Sequence, residues 1–293
     1  MKKIAIATLL AATTLVATAQ VRITGKISEF VDNTQTGAIS KTSLVTDPTS
    51  NITLSATETI GGLKARVVLD TSLKANDPIT GADTKLGDRQ STIGLSSKLV
   101  SMDLGRNLHS HFLAITNNDA FSTLYGSVAG DVHNLRGLRV SNGTFFALTP
   151  MKGLTATYDR TQTGVGAEAS SYSASAKLFG VNATVAQYTQ GIEKSTVYAG
   201  SAKLGNTHVF YSRSDDKGVV TKTGDLIGAS QQFGPITAKA SYGKTNTDVK
   251  AYAMGADYNM SKRTLVGINY RNVDAKGTTN DVKQVGVGVT HRF

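Results

Sequence analysis

The sequence predicts an all-β chain closed into a transmembrane barrel of sixteen antiparallel strands, and three observations carry that prediction. Val285, Val287, Val289, His291 and Phe293 alternate with Gly286, Gly288, Thr290 and Arg292. Successive strand side chains point to opposite faces, so this segment has one apolar or aromatic face and one small or polar face. The same alternation recurs in segments of about ten residues, the span of a tilted transmembrane strand. The links between segments are alternately tight and long, as in barrels with short periplasmic turns and larger external loops. A soluble sandwich would need a second sheet over each apolar face; lipid outside and water within explain the pattern with one sheet.

The amino terminus sets the compartment. Lys2 and Lys3 precede an apolar and small-residue run, Ile4 to Val16, and Ala17-Thr18-Ala19 offers a small-x-small cleavage site. The run is shorter than the roughly 20 residues that a spanning helix needs. Residues 1–19 therefore read as a cleaved secretory signal and residues 20–293 as one barrel domain. The absence of cysteine excludes disulfide staples and thiolate-bound metals. The net charge of +10 fits nucleic acid, anionic lipid or anionic solutes. Its spread through strand-like segments, in an exported chain, argues against nucleic acid.

Individual strands follow from the alternation. Val21, Ile23 and Ile27 oppose Arg22, Thr24, Lys26 and Ser28. Leu63, Ala65, Val67 and Leu69 oppose Lys64, Arg66, Asp70 and Ser72. Tyr172, Ala174, Ala176 and Leu178 oppose serines and Lys177, and the pattern repeats over 249–258 and 265–273. Strand starts fall near 21, 50, 62, 88, 99, 135, 144, 154, 170, 181, 195, 205, 223, 235, 249, 263 and 282. Joining the segments at 135 and 144 into one long strand gives sixteen. Tight turns follow at 59–62, 150–153, 179–180, 204–206, 233–235 and 260–263. Longer polar links are expected at 33–49, 74–86, 161–169, 189–194, 214–221, 244–248 and 274–281.

One link is different. Residues 106–132 contain Phe112, Leu113, Ile115, Phe121, Leu124 and Tyr125. Loops longer than about 15 residues are usually functional or disordered, and this one is too apolar to be solvated. It is expected inside the barrel, packed on the wall and narrowing the lumen; an external lid is the alternative.

The polar faces would line the lumen, because an Arg or Lys facing lipid at mid-bilayer costs about 2–4 kcal/mol. Arg22, Lys26, Lys64, Arg66, Arg89, Arg106, Arg136 and Arg139 would then form one basic wall. Asp119 and Asp131 are the acids of the inserted segment, with His109 and His111 weakly basic. A basic wall facing an acidic segment sets a transverse field across a constriction, and clustered Arg and Lys favour anions. Each of these groups could instead sit near a mouth and serve solubility or lipopolysaccharide contact. Enzymatic readings lack support: His109 and His111 have no further metal ligands, no nucleophile motif occurs, and Gly164-Val165-Gly166 lacks the strand and helix of a nucleotide loop. No cofactor is implied. A solute-specific anion channel and a plugged structural or adhesive barrel are the competing functions.

Several local patterns give the chain a resemblance to the Gram-negative general porins of β-proteobacterial type. These are Gly61-Gly62-Leu63-Lys64-Ala65; Arg89-Gln90-Ser91-Thr92-Ile93-Gly94-Leu95 with Leu104-Gly105-Arg106; Arg139 with Asn142, Thr149-Pro150 and Gly153; and 255–264 with terminal His291-Arg292-Phe293. The resemblance covers essentially the whole chain. It implies an outer-membrane homotrimer passing ions and small hydrophilic solutes, a third loop folded inward, and Phe293 read by the barrel-assembly machinery. It also implies that Arg22, Arg66 and Arg106 are similar to constriction-facing cations, and that Asp119 is similar to an acid of the inserted loop. The chain departs from the family in its short external loops and in lacking a Pro-containing acidic loop tip between 107 and 132.

Overall fold

A computed structural model describes residues 20–74, 85–135, 138–161, 168–219, 221–275 and 281–293. The expected signal segment 1–19, Arg136, and much of the links 74–86, 161–169 and 274–281 lie outside them. Strands β1 (Gln20–Thr36), β2 (Ile39–Thr46), β3 (Asn51–Ile60), β4 (Leu63–Ser72), β5 (Gln90–Ser96) and β6 (Val100–Leu108) lead to two short helices, α1 (Ser110–Thr116) and α2 (Ala129–Val132). Then follow β7 (Arg139–Met151), β8 (Leu154–Thr161), β9 (Ala169–Leu178), β10 (Val181–Gln190), β11 (Glu193–Leu204) and β12 (Thr207–Lys217). The wall ends with β13 (Lys222–Phe233), β14 (Ile236–Thr245), β15 (Val249–Asn259), β16 (Thr264–Ala275) and β17 (Val282–Arg292). Every neighbouring pair is antiparallel, and β1 pairs with β17, so the sheet closes.

Seventeen strand segments make sixteen staves. The lower part of β1, Gln20–Lys26, pairs with β3, and the upper part, Glu29–Thr36, pairs with β2. β2 and β3 are one stave interrupted at residues 47–50. The single strand expected from joining the segments at 135 and 144 is β7.

Two of the expected loops are strand instead. Residues 33–49 continue β1 to Thr36, turn at Gly37-Ala38 with Gly37 at φ 57°, and return as β2. Residues 189–194 are the ends of β10 and β11 joined by two residues. Ser, Thr, Lys and Asn dominate these stretches because both sheet faces are wet there, so polarity no longer distinguishes strand from loop.

The outward face is apolar as the alternation requires. Val21, Ile23 and Val31 on β1 are exposed, as are Val285, Val287 and Val289 on β17. Its aromatic residues are unevenly placed. The outward tyrosines, Tyr158, Tyr172, Tyr198, Tyr211, Tyr242, Tyr252, Tyr258 and Tyr270, all lie on β8–β16. The outward face of β1–β6 carries Val, Ile, Leu and Ala, with Glu29 and Glu58 as its acids.

Candidate pore constriction

Residues 109–133 pack against the side of the wall opposite the exposed apolar face. His109 Nδ1 meets Asp159 on β8, and Ser110 Oγ and the His111 amide reach Ser171 on β9 at 2.8 and 3.0 Å. His111 Nε2 lies 2.9 Å from Ser195 Oγ on β11. The chain crosses β13–β16 and reaches β1 at Tyr125, whose ring stacks on Phe30 with centroids 4.0 Å apart and whose hydroxyl donates to Asp32. Its amide donates to Asp47 Oδ2 at 2.9 Å. The interruption between β2 and β3 thus supplies the acceptor that fixes the far end of the segment. On the return, Asp131 takes two bonds from Arg271 on β16 at 2.6 and 2.8 Å. His133 lies 2.8 Å from Ser212 and 3.0 Å from Ser214 on β12.

The described hydrophobic core lies in this seam. Ile115, Phe121, Val128 and Val132 pack with Ala186, Val197, Leu226, Ala251 and Val273, all inward-facing. Each large aliphatic or aromatic residue buried there contributes roughly 1.5–3 kcal/mol. Close approach of the segment requires glycine on the facing strands. A side chain at Gly286 would overlap the Tyr125 ring, and one at Gly243 would overlap Val132.

Burial decides the protonation of the segment. Desolvation lowers His111 to about 4 and His133 to about 3, with neighbouring positive charge adding to the effect. Both are neutral at pH 7 and serve as polar holdfasts. His109 and His111, expected from the sequence as weakly basic groups of the lumen, are instead buried against the wall. Asp119 and Asp131 are both raised, chiefly by burial, and Arg271 opposes the shift at Asp131. Asp119 is 2% exposed and spends its carboxylate on the Thr123 amide and Ser127 hydroxyl inside the segment. Asp131 is bound to Arg271. Neither forms the exposed acidic face expected across the lumen.

The rest of the wall, from the lower part of β1 to β7, carries the other named cations. Arg22 and Lys64 are exposed and have no ion pair among the described residues. Arg66, with its side chain 47% exposed, is 2.8 Å from Asp103 on β6. Lys26 is not free: it bonds Thr49 and lies 3.6 Å from Asp47, so it braces the stave interruption. Higher on the wall, Arg89 pairs with Asp70 at 2.9 Å. Arg106 stands where the register of β6 shifts, and donates to the Asp88 carbonyl and to Ser141, each at 2.6 Å. Arg139 is close enough to Arg89 and Arg106 for their charges to act on it, and its Nε is buried without a hydrogen-bond partner. Phe293 closes the ladder at the lower rim, exchanging backbone bonds of 3.0 Å with Gly25 in both directions.

The sequence reading missed Asp103, Asp32, Asp47, Tyr125, His133 and Arg271. Asp103 was accessible by alternation, since Ser101 and Asp103 share the face opposite Met102 and Leu104. The others required knowing which distant strands meet the segment.

A closed sheet that is apolar outside, charged inside and partly filled by its own chain defines the class of outer-membrane channel barrels. The model of the Gram-negative porin family matches residues 7–293, and the chain belongs to that family. Among solved structures it is similar to an anion-selective porin from Comamonas acidovorans, with TM-score 0.80 and 21% identity over 94% of this chain and 100% of that one. Salmonella typhi OmpF in complex with daunomycin gives 0.76 and 15% over 94% and 98%. The in-vitro folded trimer form of OmpT from Vibrio cholerae gives 0.73 and 11% over 94% and 99%. No curated protein sequence matches the chain.

Proposed function

We propose that this outer-membrane channel is a general-diffusion pore with anion preference. Its constriction would lie between the inserted segment and the basic wall of Arg22, Lys64, Arg66, Arg89, Arg106 and Arg139. The observation that carries this reading is the charge balance across the lumen. Asp119 of the inserted segment is buried behind its own hydrogen bonds and Asp131 is paired with Arg271, while Arg22 and Lys64 stand exposed and unpaired and Arg66 is half-exposed. Clustered cations facing water attract anions and repel cations, and no bound group is required. Similarity to an anion-selective porin supports the same sign. Purified protein in a planar bilayer under a KCl gradient should give a reversal potential of the anion-selective sign, and a cation-selective potential would overturn the reading. Replacing Arg66 and Arg139 by Gln should reduce the anion-to-cation permeability ratio.

The assembled form in this reading is a homotrimer, supported by the trimeric relative. The tyrosine-free aliphatic face of β1–β6 suits contact with a second copy, since aromatic girdles belong where a barrel meets the lipid interface. A conductance trace closing in three equal steps tests this. Cleavage after residue 19, recognition of Phe293 by the assembly machinery, and contact with lipopolysaccharide complete the proposal. Amino-terminal sequencing of the mature protein tests the cleavage.

A further inference from the structure

We propose that the lumen holds a binding site for a zwitterionic α-amino acid with a branched aliphatic side chain, at the edge where the inserted segment leaves the wall. This rests on the reading of the lumen as an open pore. It does not rest on the sign of the ion preference, because the solute carries no net charge.

The site lies on one inward row of the wall. Arg66 on β4, Gly94 on β5, Asp103 on β6, Phe145 on β7, Asp159 on β8 and Ser171 on β9 are successive partners in register. The segment uses one end of this row: Asp159 holds His109 and the Ser110 amide, and Ser171 holds the His111 amide. The other end stays within reach of the lumen. Two glycines shape it. A side chain at Gly94 would overlap Asp103, so its absence lets Arg66 reach across β5 and meet Asp103 Oδ2 at 2.8 Å. A side chain at Gly143 would overlap the Phe145 ring, which lies over that position instead.

Beside the ion pair is a cavity of about 110 Å³, lined by Asp103, Asn107, Ser110, Leu113, Phe145 and Thr157. Phe112 and Ile115 of α1 are buried, but Leu113 is 38% exposed and turns toward this cavity. Covering a leucine recovers roughly 1.5–3 kcal/mol at full burial, so an apolar group entering here is favoured. An apolar cavity of about 150 Å³ takes up benzene, and this smaller one suits a branched group of about four carbons. The ion pair selects the rest of the solute. Arg66 keeps guanidinium donors beyond the one that meets Asp103, and among the described residues only Oδ2 of Asp103 is engaged. A solute carboxylate would accept from Arg66 while its ammonium group donates to Asp103. A carboxylate alone would be repelled by Asp103, and an amine alone by Arg66. An ion pair that merely braced the wall would need neither the cavity nor the exposed leucine next to it.

The test is single-channel recording of the purified protein in a planar bilayer, titrated with L-leucine, glycine, isocaproate and isopentylamine. Leucine should block the current in a saturable way. Glycine lacks the branched side chain, isocaproate the ammonium group and isopentylamine the carboxylate, and each should need about tenfold more for half-maximal block, equivalent to about 1.4 kcal/mol. Leu113→Ser and Asp103→Asn should each weaken the leucine block by about tenfold as well. A heat-modifiable band on gels reports the folding of each variant, and the solute series on wild type stands independently of it. Glycine blocking as well as leucine would overturn the role of the cavity and with it the proposal. Isocaproate or isopentylamine blocking as well as leucine would do the same for the ion pair, as would a folded variant with the wild-type leucine block. An open channel that leucine does not block refutes this site alone, whereas a barrel that passes no current before any solute is added refutes the pore reading and the site together.

Discussion

Acidification should release the inserted segment from its wall. His111 and His133 are fully buried against Ser195, Ser212 and Ser214, and burial holds them at about 4 and about 3. A segment that leaves the wall returns both imidazoles to their ordinary value near 6.5. Docking therefore depresses both pKa values, so the released state binds more protons between about 3 and 6.5. The histidines' contribution to docking is complete above about pH 6.5 and is lost as pH falls through that window. At pH 5 a released imidazole is almost fully protonated and a docked one almost neutral, a difference of about 2 kcal/mol each and about 4 kcal/mol together. At pH 7.5 the same difference is close to zero.

Other charges around the seam modify this without reversing its sign. Lys222 disfavours protonation of His133, whereas Asp159 favours it at His111 and Asp225 at His133. Asp119 and Asp131 have raised pKa values, so they take up protons while docked and oppose release at low pH. The histidine part is isolated by substitution. Glutamine at 111 and 133 can still reach the serine hydroxyls but cannot titrate. Hydrogen exchange of amides 110–133 and single-channel noise should both rise between pH 7.5 and 5 in wild type. His133→Gln should remove about half of that pH dependence and the double variant most of it. A double variant with the wild-type pH response would refute the reasoning.

Three further outcomes follow from the same geometry. Asp47→Ala leaves the Tyr125 amide and Lys26 without their carboxylate and should weaken docking of the segment by about 1–3 kcal/mol, seen as faster exchange at Tyr125 than at His111. Gly286→Leu places a side chain where the Tyr125 ring lies and should displace the Tyr125 end of the segment, changing open-channel conductance while a heat-modifiable barrel band persists on gels. Val287→Arg, outward on β17, should cost about 2–4 kcal/mol of folding stability in urea titrations into lipid vesicles, whereas Thr24→Lys, inward on β1, should cost less than 1 kcal/mol.

The staves were legible in the sequence because each has a different solvent on each side. Residues 285–293 and 63–72 could be assigned a face from alternation alone, and β7 from the even strand count. Above the membrane that contrast vanishes, and the paired strands at 33–46 read as a loop. The seam was hidden for a related reason. His133 meets Ser212 from 79 positions away, so neither residue signals its partner. A trace of the seam is nevertheless present in the strands. Val197, Leu226, Ala251 and Val273 are apolar on faces that elsewhere carry Ser, Thr, Asn or charge. A lumen-facing apolar residue is stable only if something excludes water from it. Along β11, β13, β15 and β16 such residues cluster in the upper half of the wall, while Arg22, Lys64, Arg66 and Arg89 occupy the wall of β1–β5. The break in alternation therefore marks where the segment docks, and the unbroken basic alternation marks the wall left to the passing solute.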